Sequence, residues 1–254
     1  MISNKMIASL SRKLAGMASV MMLCLAGLGF PDLVPSAKAA VVVAENIRAT
    51  RIAQLTTACR YDYVVLTGRP VLRVYSGTGG LLWARRLGTQ DAPMSELVDV
   101  TDLDGDGLSE IVGYYPGDPK ASTPKPPVLY VYNGDGSPRG LPYTFASPSK
   151  LDIGPTGIRV YDVLGTTPLQ RRIVVAPNTT ALELTPGANS SVWFFNSNGS
   201  LRSQVLVEGT GAGTSNDGRE ILPFPGIAVG ALGTTNTILV VVKGRFLFFN
   251  QDGG

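Results

Sequence analysis

A unit that recurs four times constrains this 254-residue chain more than any other feature. An alternating apolar or aromatic run enters a glycine-containing turn and leaves as a further stretch, at Val71–Trp83, Val128–Ser137, Val192–Leu201 and Phe246–Gly254. The matching aromatics Tyr75, Tyr132, Phe195 and Phe249 fall at intervals of 57, 63 and 54 residues. Upstream of each hairpin lies a second pair of strand-like segments: Arg51–Leu55 with Tyr63–Leu66, Leu97–Val100 with Glu110–Tyr114, Ile158–Val163 with Arg172–Ala176, and Ile227–Leu232 with Thr237–Val242. Continuous apolar runs such as Ile238–Val242 suit inner strands covered on both faces. The pattern predicts an all-β fold, a β-propeller-like array of about four blades over residues 50–90, 96–147, 157–208 and 225–254. A β-sandwich would also give short strands and frequent turns, but not the regular return of the whole unit. The array is either complete in this chain or truncated and completed by another.

Composition agrees with a turn-dense β protein: 30 Gly, 18 Pro and only 16% charged residues, against 44% hydrophobic. Because the chain has no His, it can build no Ser-His-Asp triad, Cys-His pair or His-ligated zinc.

Residues 1–39 read as a signal peptide. Lys5, Arg12 and Lys13 precede an uncharged run from Leu14 to Phe30, and Ala37-Lys38-Ala39 supplies the small-x-small cleavage signature, with the cut before Ala40. An uncleaved membrane anchor is the rival, since a run of this length is close to a bilayer span. The segment holds four basic side chains (Lys5, Arg12, Lys13, Lys38) and one acid (Asp32), so residues 40–254 carry 18 of each sign and no net charge. The overall pI therefore gives no support for nucleic-acid or anionic-membrane binding, and neither nucleic acid nor stable membrane insertion of the mature chain is expected. Only Cys59 remains after residue 40, which excludes an intrachain disulfide in the mature form. The expected location is secreted or cell-surface, or periplasmic if a Gram-negative cell retains it.

Two stretches interrupt the repeat. Pro116–Pro127 reads as an exposed, partly polyproline loop between two strands of the second blade. Glu208–Glu220 contains Gly209-Thr210-Gly211-Ala212-Gly213, but no helix pattern follows the glycines, and a phosphate cradle needs that helix terminus; it reads as an interblade linker. The turns at Asn133-Gly134-Asp135-Gly136, Asn198-Gly199 and Asp252-Gly253 are explained by hairpin geometry, with Asn-Gly and Asp-Gly supplying positive φ angles. Trp83, Trp193 and the pair Tyr114-Tyr115 are expected in the packed interior rather than stacked on a sugar. Asn178, Asn189 and Asn198 open N-x-[S/T] sequons, which matter only in a eukaryotic secretory pathway.

The sharpest chemical signal is Asp102-Leu103-Asp104-Gly105-Asp106-Gly107-Leu108-Ser109-Glu110. Carboxylates at positions one, three and five of a tight loop converge on one point, Gly107 permits the turn that aims the Leu108 carbonyl inward, and Glu110 closes the shell. Hard oxygens in that number favour Ca²⁺. An EF-hand would need Glu at position twelve and flanking helices; Gly113 stands there instead, and the flanks read as strands. The loop is expected to clip a β-hairpin, with a solvated metal-free turn as the plain alternative.

A strand, this D-x-D-x-D-G-x-x-[D/E]-like loop and a second strand, followed by Val131-Tyr132-Asn133-Gly134-Asp135-Gly136, resemble the FG-GAP/VCBS repeat of integrin-α-like β-propellers, over residues 50–254. The resemblance implies one structural Ca²⁺, held by Asp102, Asp104, Asp106, Glu110 and the carbonyl of Leu108. The third repeat keeps Asp162 but has Leu164 and Thr166 at ligand positions, and the fourth has Ala231 and Gly233, so one ion is implied and not four. The Phe-Gly and Gly-Ala-Pro signatures of the family are absent, and Glu110 stands where Asp is usual. The Ser76–Trp83 hairpin is also similar to quinoprotein-type propeller repeats.

For function, the resemblance implies a secreted, calcium-binding recognition or adhesion module for an extracellular protein or glycan, with no catalytic residues. A carboxylate-dependent glycosidase or lyase is the alternative, and it requires two carboxyl groups facing across a cleft outside the loop. The chain could equally be a fragment of a longer surface protein.

Overall fold

The computed structural model describes residues 46–57, 60–118, 121–123, 125–145, 157–176, 190–207, 226–232, 234–242 and 245–254. The expected signal at 1–39, Cys59, the Glu208–Glu220 linker and the sequons at Asn178 and Asn189 lie outside the described residues, as do 119–120 and 124 of the proline-rich loop. No helix among the described residues is long and apolar enough to cross a membrane.

Among the described residues, fifteen strands form four antiparallel sheets, each made of strands consecutive in the chain. The first sheet is β1 (Ile47–Ala53), β2 (Asp62–Thr67), β3 (Leu72–Tyr75) and β4 (Leu81–Arg85). The second is β5 (Glu96–Thr101), β6 (Glu110–Tyr115), β7 (Val128–Tyr132) and β8 (Tyr143–Thr144). The third is β9 (Ile158–Val163), β10 (Gln170–Val175), β11 (Ser190–Phe195) and β12 (Leu201–Val207), and the fourth has three described strands, β13 (Gly226–Leu232), β14 (Thr235–Val242) and β15 (Arg245–Asn250). The first strand of the chain starts and ends earlier than the expected Arg51–Leu55: register with β2 begins at Ile47↔Thr67 and ends at Ala53↔Asp62.

Alternation along the inner strands places one set of side chains on each face, and both sets are apolar. Three packed cores result. Val64, Leu66, Leu72 and Val74 of the first sheet meet Ile111, Val128, Tyr130 and Tyr132 of the second. The opposite face of the second, Val112, Tyr114, Leu129 and Val131, meets Ile173, Val175, Trp193 and Phe195 of the third. The far face of the third, Val174, Val192 and Phe194, meets Ile238, Val240 and Phe249 of the fourth. Among the described residues, three cores therefore join four sheets in series. Trp193 and Tyr114 are buried as expected, while Tyr115 and Trp83 are half-buried.

The four hairpin turns share one construction. The amide of the first residue donates to the carbonyl four positions on, and the amide of the fourth donates back: Ser76 with Gly80 and Gly79, Asn133 with Ser137 and Gly136, Asn196 with Ser200 and Gly199, Asn250 with Gly254 and Gly253, all at 2.7–3.0 Å. The fourth residue is in every case a glycine at positive φ: 85° at Gly79, 80° at Gly136, 79° at Gly199 and 85° at Gly253. Gly136, Gly199 and Gly253 thus take the positive φ expected of the Asp-Gly and Asn-Gly pairs at these turns. The left-handed residue is Gly136, as in a three-residue hairpin loop closed by a bulge, and Gly134 is required for a different reason: a Cβ there would lie 2.3 Å from the carbonyl oxygen of Leu55.

Candidate metal centre

The acidic loop joins β5 to β6, and the pair Thr101↔Glu110 closes its base. The two oxygens of Asp102 accept from the amides of Gly105 (2.6 Å) and Gly107 (2.9 Å). Oδ1 of Asp104 accepts from Asp106 N at 3.3 Å, and Oδ1 of Asp106 from Leu108 N at 2.7 Å. Such short-range side-chain to backbone bonds hold a polar loop in shape against the alternatives open to it. Gly105 and Gly107 have φ of 84° and 90°. At Gly105 the need is doubled, because a Cβ would stand 2.5 Å from Pro168 in the third sheet's β9–β10 connection.

Asp102, Asp104 and Asp106 each present one carboxylate oxygen, and the three oxygens lie within 4.8 Å of one another. Among the described residues, no other group of three His, Cys, Asp or Glu side chains meets that condition. The sequence expectation of convergence is met for these three.

Glu110 is placed differently. It is 2% exposed; its Oε2 accepts from the Leu103 amide and its Oε1 from the Arg139 guanidinium, both at 2.7 Å. Burial pushes its carboxyl up to about 7, against the pull of the Leu103 amide and of Arg139. Leu108 sits half-buried in the loop with its amide bound to Asp106.

Arg139, from the connection between β7 and β8, is the residue that sequence reading missed. It donates to Asp104 Oδ2, to Glu110 Oε1 and, at 3.2 Å, to Asn133 Oδ1. No local pattern announces it: it is 35 positions from Asp104, and only the folding back of β7 brings the two together. A guanidinium here offsets the repulsion among carboxylates that the loop would otherwise suffer.

The Asp102, Asp104 and Asp106 oxygens fit a hard cation by number and by chemistry. Arg139 is shared by Glu110 Oε1 and Asp104 Oδ2, so a cation drawing on either oxygen competes with the guanidinium. The loop is tied to both neighbouring sheets as well. Leu103 is fully buried in the second core, its carbonyl accepts from the Arg171 amide at 2.7 Å, and Arg171 also donates to the Asp102 carbonyl. On the other side, Ser109 N donates to Gln54 O at 2.6 Å.

Beside the proline-rich connection is a cavity of about 210 Å³, lined by Thr89, Asp91, Lys125, Pro126, Tyr130 and Thr144 among others. Lys125 pairs with Asp91 at 3.2 Å, and the Tyr130 hydroxyl donates to the Ala92 carbonyl at 2.5 Å.

No protein-family model and no curated protein matches the chain. Among solved structures, it is similar to a chain of the crystal structure of BBS1N in complex with ARL6DN, soaked with lead, with 14% identity, a TM-score of 0.48 and 87% of this chain covered. A second likeness is to a rhamnogalacturonan lyase of Bacillus licheniformis, with 14% identity, a TM-score of 0.47 and 80% of this chain covered. The matches span 57% and 42% of those chains.

Proposed function

We propose that the chain is an exported β-propeller module of the FG-GAP/VCBS kind, stabilised by one Ca²⁺ on the Asp102–Glu110 loop, that recognises an extracellular protein or glycan without catalysing a reaction on it. The observation that carries this reading is the position of the loop. Its three convergent aspartates stand on a segment hydrogen-bonded to the first sheet through Ser109 and Gln54, and to the third through Leu103 and Arg171. A cation held there would stabilise the junction of three sheets, not one hairpin alone. Asp102, Asp104 and Asp106 would hold it; when bound it would supply charge neutralisation and fixed coordination, which is a structural service.

Recognition is assigned to the cavity beside Pro126. At about 210 Å³ it is smaller than the ~300–1,000 Å³ pockets that enclose whole small-molecule ligands. Its size suits one side chain or one sugar ring of a larger partner, with Lys125, Asp91 and Thr89 offering polar contacts at the rim.

Melting with calcium and with chelator tests the reading. A ligand that binds only the folded state adds about 2.7 kcal/mol at one hundred times its Kd. Wild type should melt higher in calcium, and Asp104→Ala should lose that response. A glycan and peptide array probed in calcium with wild type and Lys125→Glu then examines the cavity. Equal melting of wild type in calcium and chelator overturns the calcium assignment, and turnover of a polysaccharide overturns recognition without catalysis.

A further inference from the structure

The zero net charge of residues 40–254 conceals a separation of charge along the chain. Residues 40–90 hold seven bases against two acids, Glu45 and Asp62, and so carry +5. Residues 91–254, with the other 11 bases and 16 acids, carry −5. All seven bases of residues 40–90 are arginine, and the first sheet is built from this stretch.

Register brings three of these arginines to one end of that sheet. β1 begins at Ile47, opposite Thr67 at the end of β2; β3 begins at Leu72, opposite Arg85 at the end of β4. Arg69 stands in the turn between β2 and β3, Arg48 one residue into β1 and Arg86 one residue past β4, so the three follow one another across the whole width of the sheet. With neighbouring strands about 4.8 Å apart, the strip is about 14 Å long. The turn is fastened to β1, since the Gly68 amide donates to the Asn46 carbonyl at 2.5 Å, and the Thr67 hydroxyl donates to the Arg69 carbonyl at 2.6 Å. Arg48, Arg69 and Arg86 are all exposed. Among the described residues, the side chains of Arg69 and Arg86 make no hydrogen bond and no ion pair. Arg48 meets Ser95 O at 3.4 Å and Glu96 Oε1 at 3.9 Å, with the paired side chains 45% and 37% exposed, and an exposed pair of that length neutralises little.

We propose that this strip binds an anionic glycan, a chain bearing carboxylate or sulfate groups on its sugars. A guanidinium presents a planar fork that matches two oxygens of such a group, and a row of unpaired forks suits a row of such groups. Duplex nucleic acid fits less well. It carries one negative charge per about 1.7 Å and, laid on the strip, runs on over the second sheet, where residues 91–145 hold nine acids against three bases. A single glycan chain, charged once per sugar or less, satisfies the strip with a few groups and turns away from those acids. The choice of a glycan rests on the proposed recognition role of an exported protein; the strip rests on register and charge, and involves neither the calcium loop nor the cavity beside Pro126.

Titration calorimetry of the purified protein with heparin, which carries sulfate and carboxylate, and with hyaluronate, which carries carboxylate alone, tests the proposal and tells the two groups apart. Dextran, polyglutamate and duplex DNA serve as comparisons. Wild type should bind at least one of the two anionic glycans, more weakly as salt rises from about 50 to 200 mM, and should not bind dextran. The double variant Arg69→Gln, Arg86→Gln should lose roughly tenfold in affinity and show a flatter salt dependence. Arg60→Gln with Arg159→Gln removes the same charge from exposed positions away from the strip, and should bind as wild type does. Circular dichroism and the calcium response of melting should be unchanged in both double variants, and the single variants Arg69→Gln and Arg86→Gln, each with a smaller loss, stand in if the first double variant folds poorly. No binding of either glycan, equal losses in the two double variants, or tighter binding of DNA or polyglutamate than of both glycans would each overturn the proposal. Failure here with a glycan or peptide hit that Lys125→Glu abolishes would remove the strip and leave the recognition reading standing.

Discussion

The guanidinium of Arg139 donates to Oε1 of Glu110 at 2.7 Å, and this carboxylate is 2% exposed. Burial nevertheless dominates, and lifts the Glu110 carboxyl from 4.5 to about 7. A raised carboxyl means that the folded state holds the proton more firmly than the unfolded chain. Its unfavourable contribution is absent below pH 4.5, grows as pH rises towards 7, and is complete above that. The stability difference between wild type and Glu110→Gln in metal-free buffer should therefore drift against wild type from pH 5 to pH 8. The drift is on the order of 3 kcal/mol at most, since each tenfold change in proton affinity is worth roughly 1.4 kcal/mol. Urea midpoints measured across that range check it; parallel curves would refute it.

Arg139 also carries the charge balance of the loop in the absence of metal. Arg139→Gln leaves Asp104 and Glu110 without their cation, and loss of one partner of a buried pair costs about 3–5 kcal/mol when burial is complete. With Asp104 side chain 31% exposed, the expected loss is smaller, about 1–3 kcal/mol. Calcium should then raise the variant's melting temperature more than it raises that of wild type, because no guanidinium competes for Asp104. An equal calcium increment in the two proteins would separate Arg139 from the metal site.

Trp83 joins the first and second sheets through its bond to Gly134 O. Trp83→Phe keeps an aromatic ring but removes the donor, and should cost about 0.5–1.5 kcal/mol by chemical denaturation. Trp83→Leu should cost more, because the ring also packs on the first core and its indole lies 5.8 Å from the Arg85 guanidinium. Equal losses in the two variants would mean that the aromatic ring contributes nothing beyond the hydrogen bond, and no loss in Trp83→Phe would mean that the hydrogen bond contributes nothing.

Much of this arrangement was legible in the chain, for a physical reason. Strands covered on both faces must be apolar at every position, so Val128–Tyr132, buried throughout, announces its place without reference to partners. The aspartate spacing at 102, 104 and 106 was legible because the loop is local, and its convergence depends on a few backbone angles set by Gly105 and Gly107. Arg139 was not, since its contact with Asp104 depends on the path of β7 and on nothing near it in sequence. Nor was the five-residue form of the turns: Asn133-Gly134 satisfies the letters of a tighter turn, and it is Gly136 that takes the left-handed conformation, as Gly79, Gly199 and Gly253 do at the same place in their turns.

The turn glycines separate two causes of intolerance. Gly165 and Gly253 have nearly the same backbone, φ of 86° and 85°, and differ in surroundings: a Cβ on Gly165 meets nothing within 4 Å, whereas one on Gly253 would lie 2.5 Å from Phe194 and 2.4 Å from Ser203 Oγ. Gly165→Ala should cost only the left-handed conformation, about 1–2 kcal/mol. Gly253→Ala adds an overpacking term, typically about 1–3 kcal/mol, because Phe194 is fully buried and cannot withdraw. It should therefore be the more destabilising by at least the size of that term. Ser203→Ala tests the source of the difference, since the serine's Oγ is the nearest atom: removing it should recover little of the Gly253→Ala loss if the ring is the obstacle, and most of it if the hydroxyl is. Denaturation midpoints of the three single variants and the Gly253→Ala, Ser203→Ala double variant decide between these, and equal losses for Gly165→Ala and Gly253→Ala would show that the fourth turn does not press on the third sheet at all.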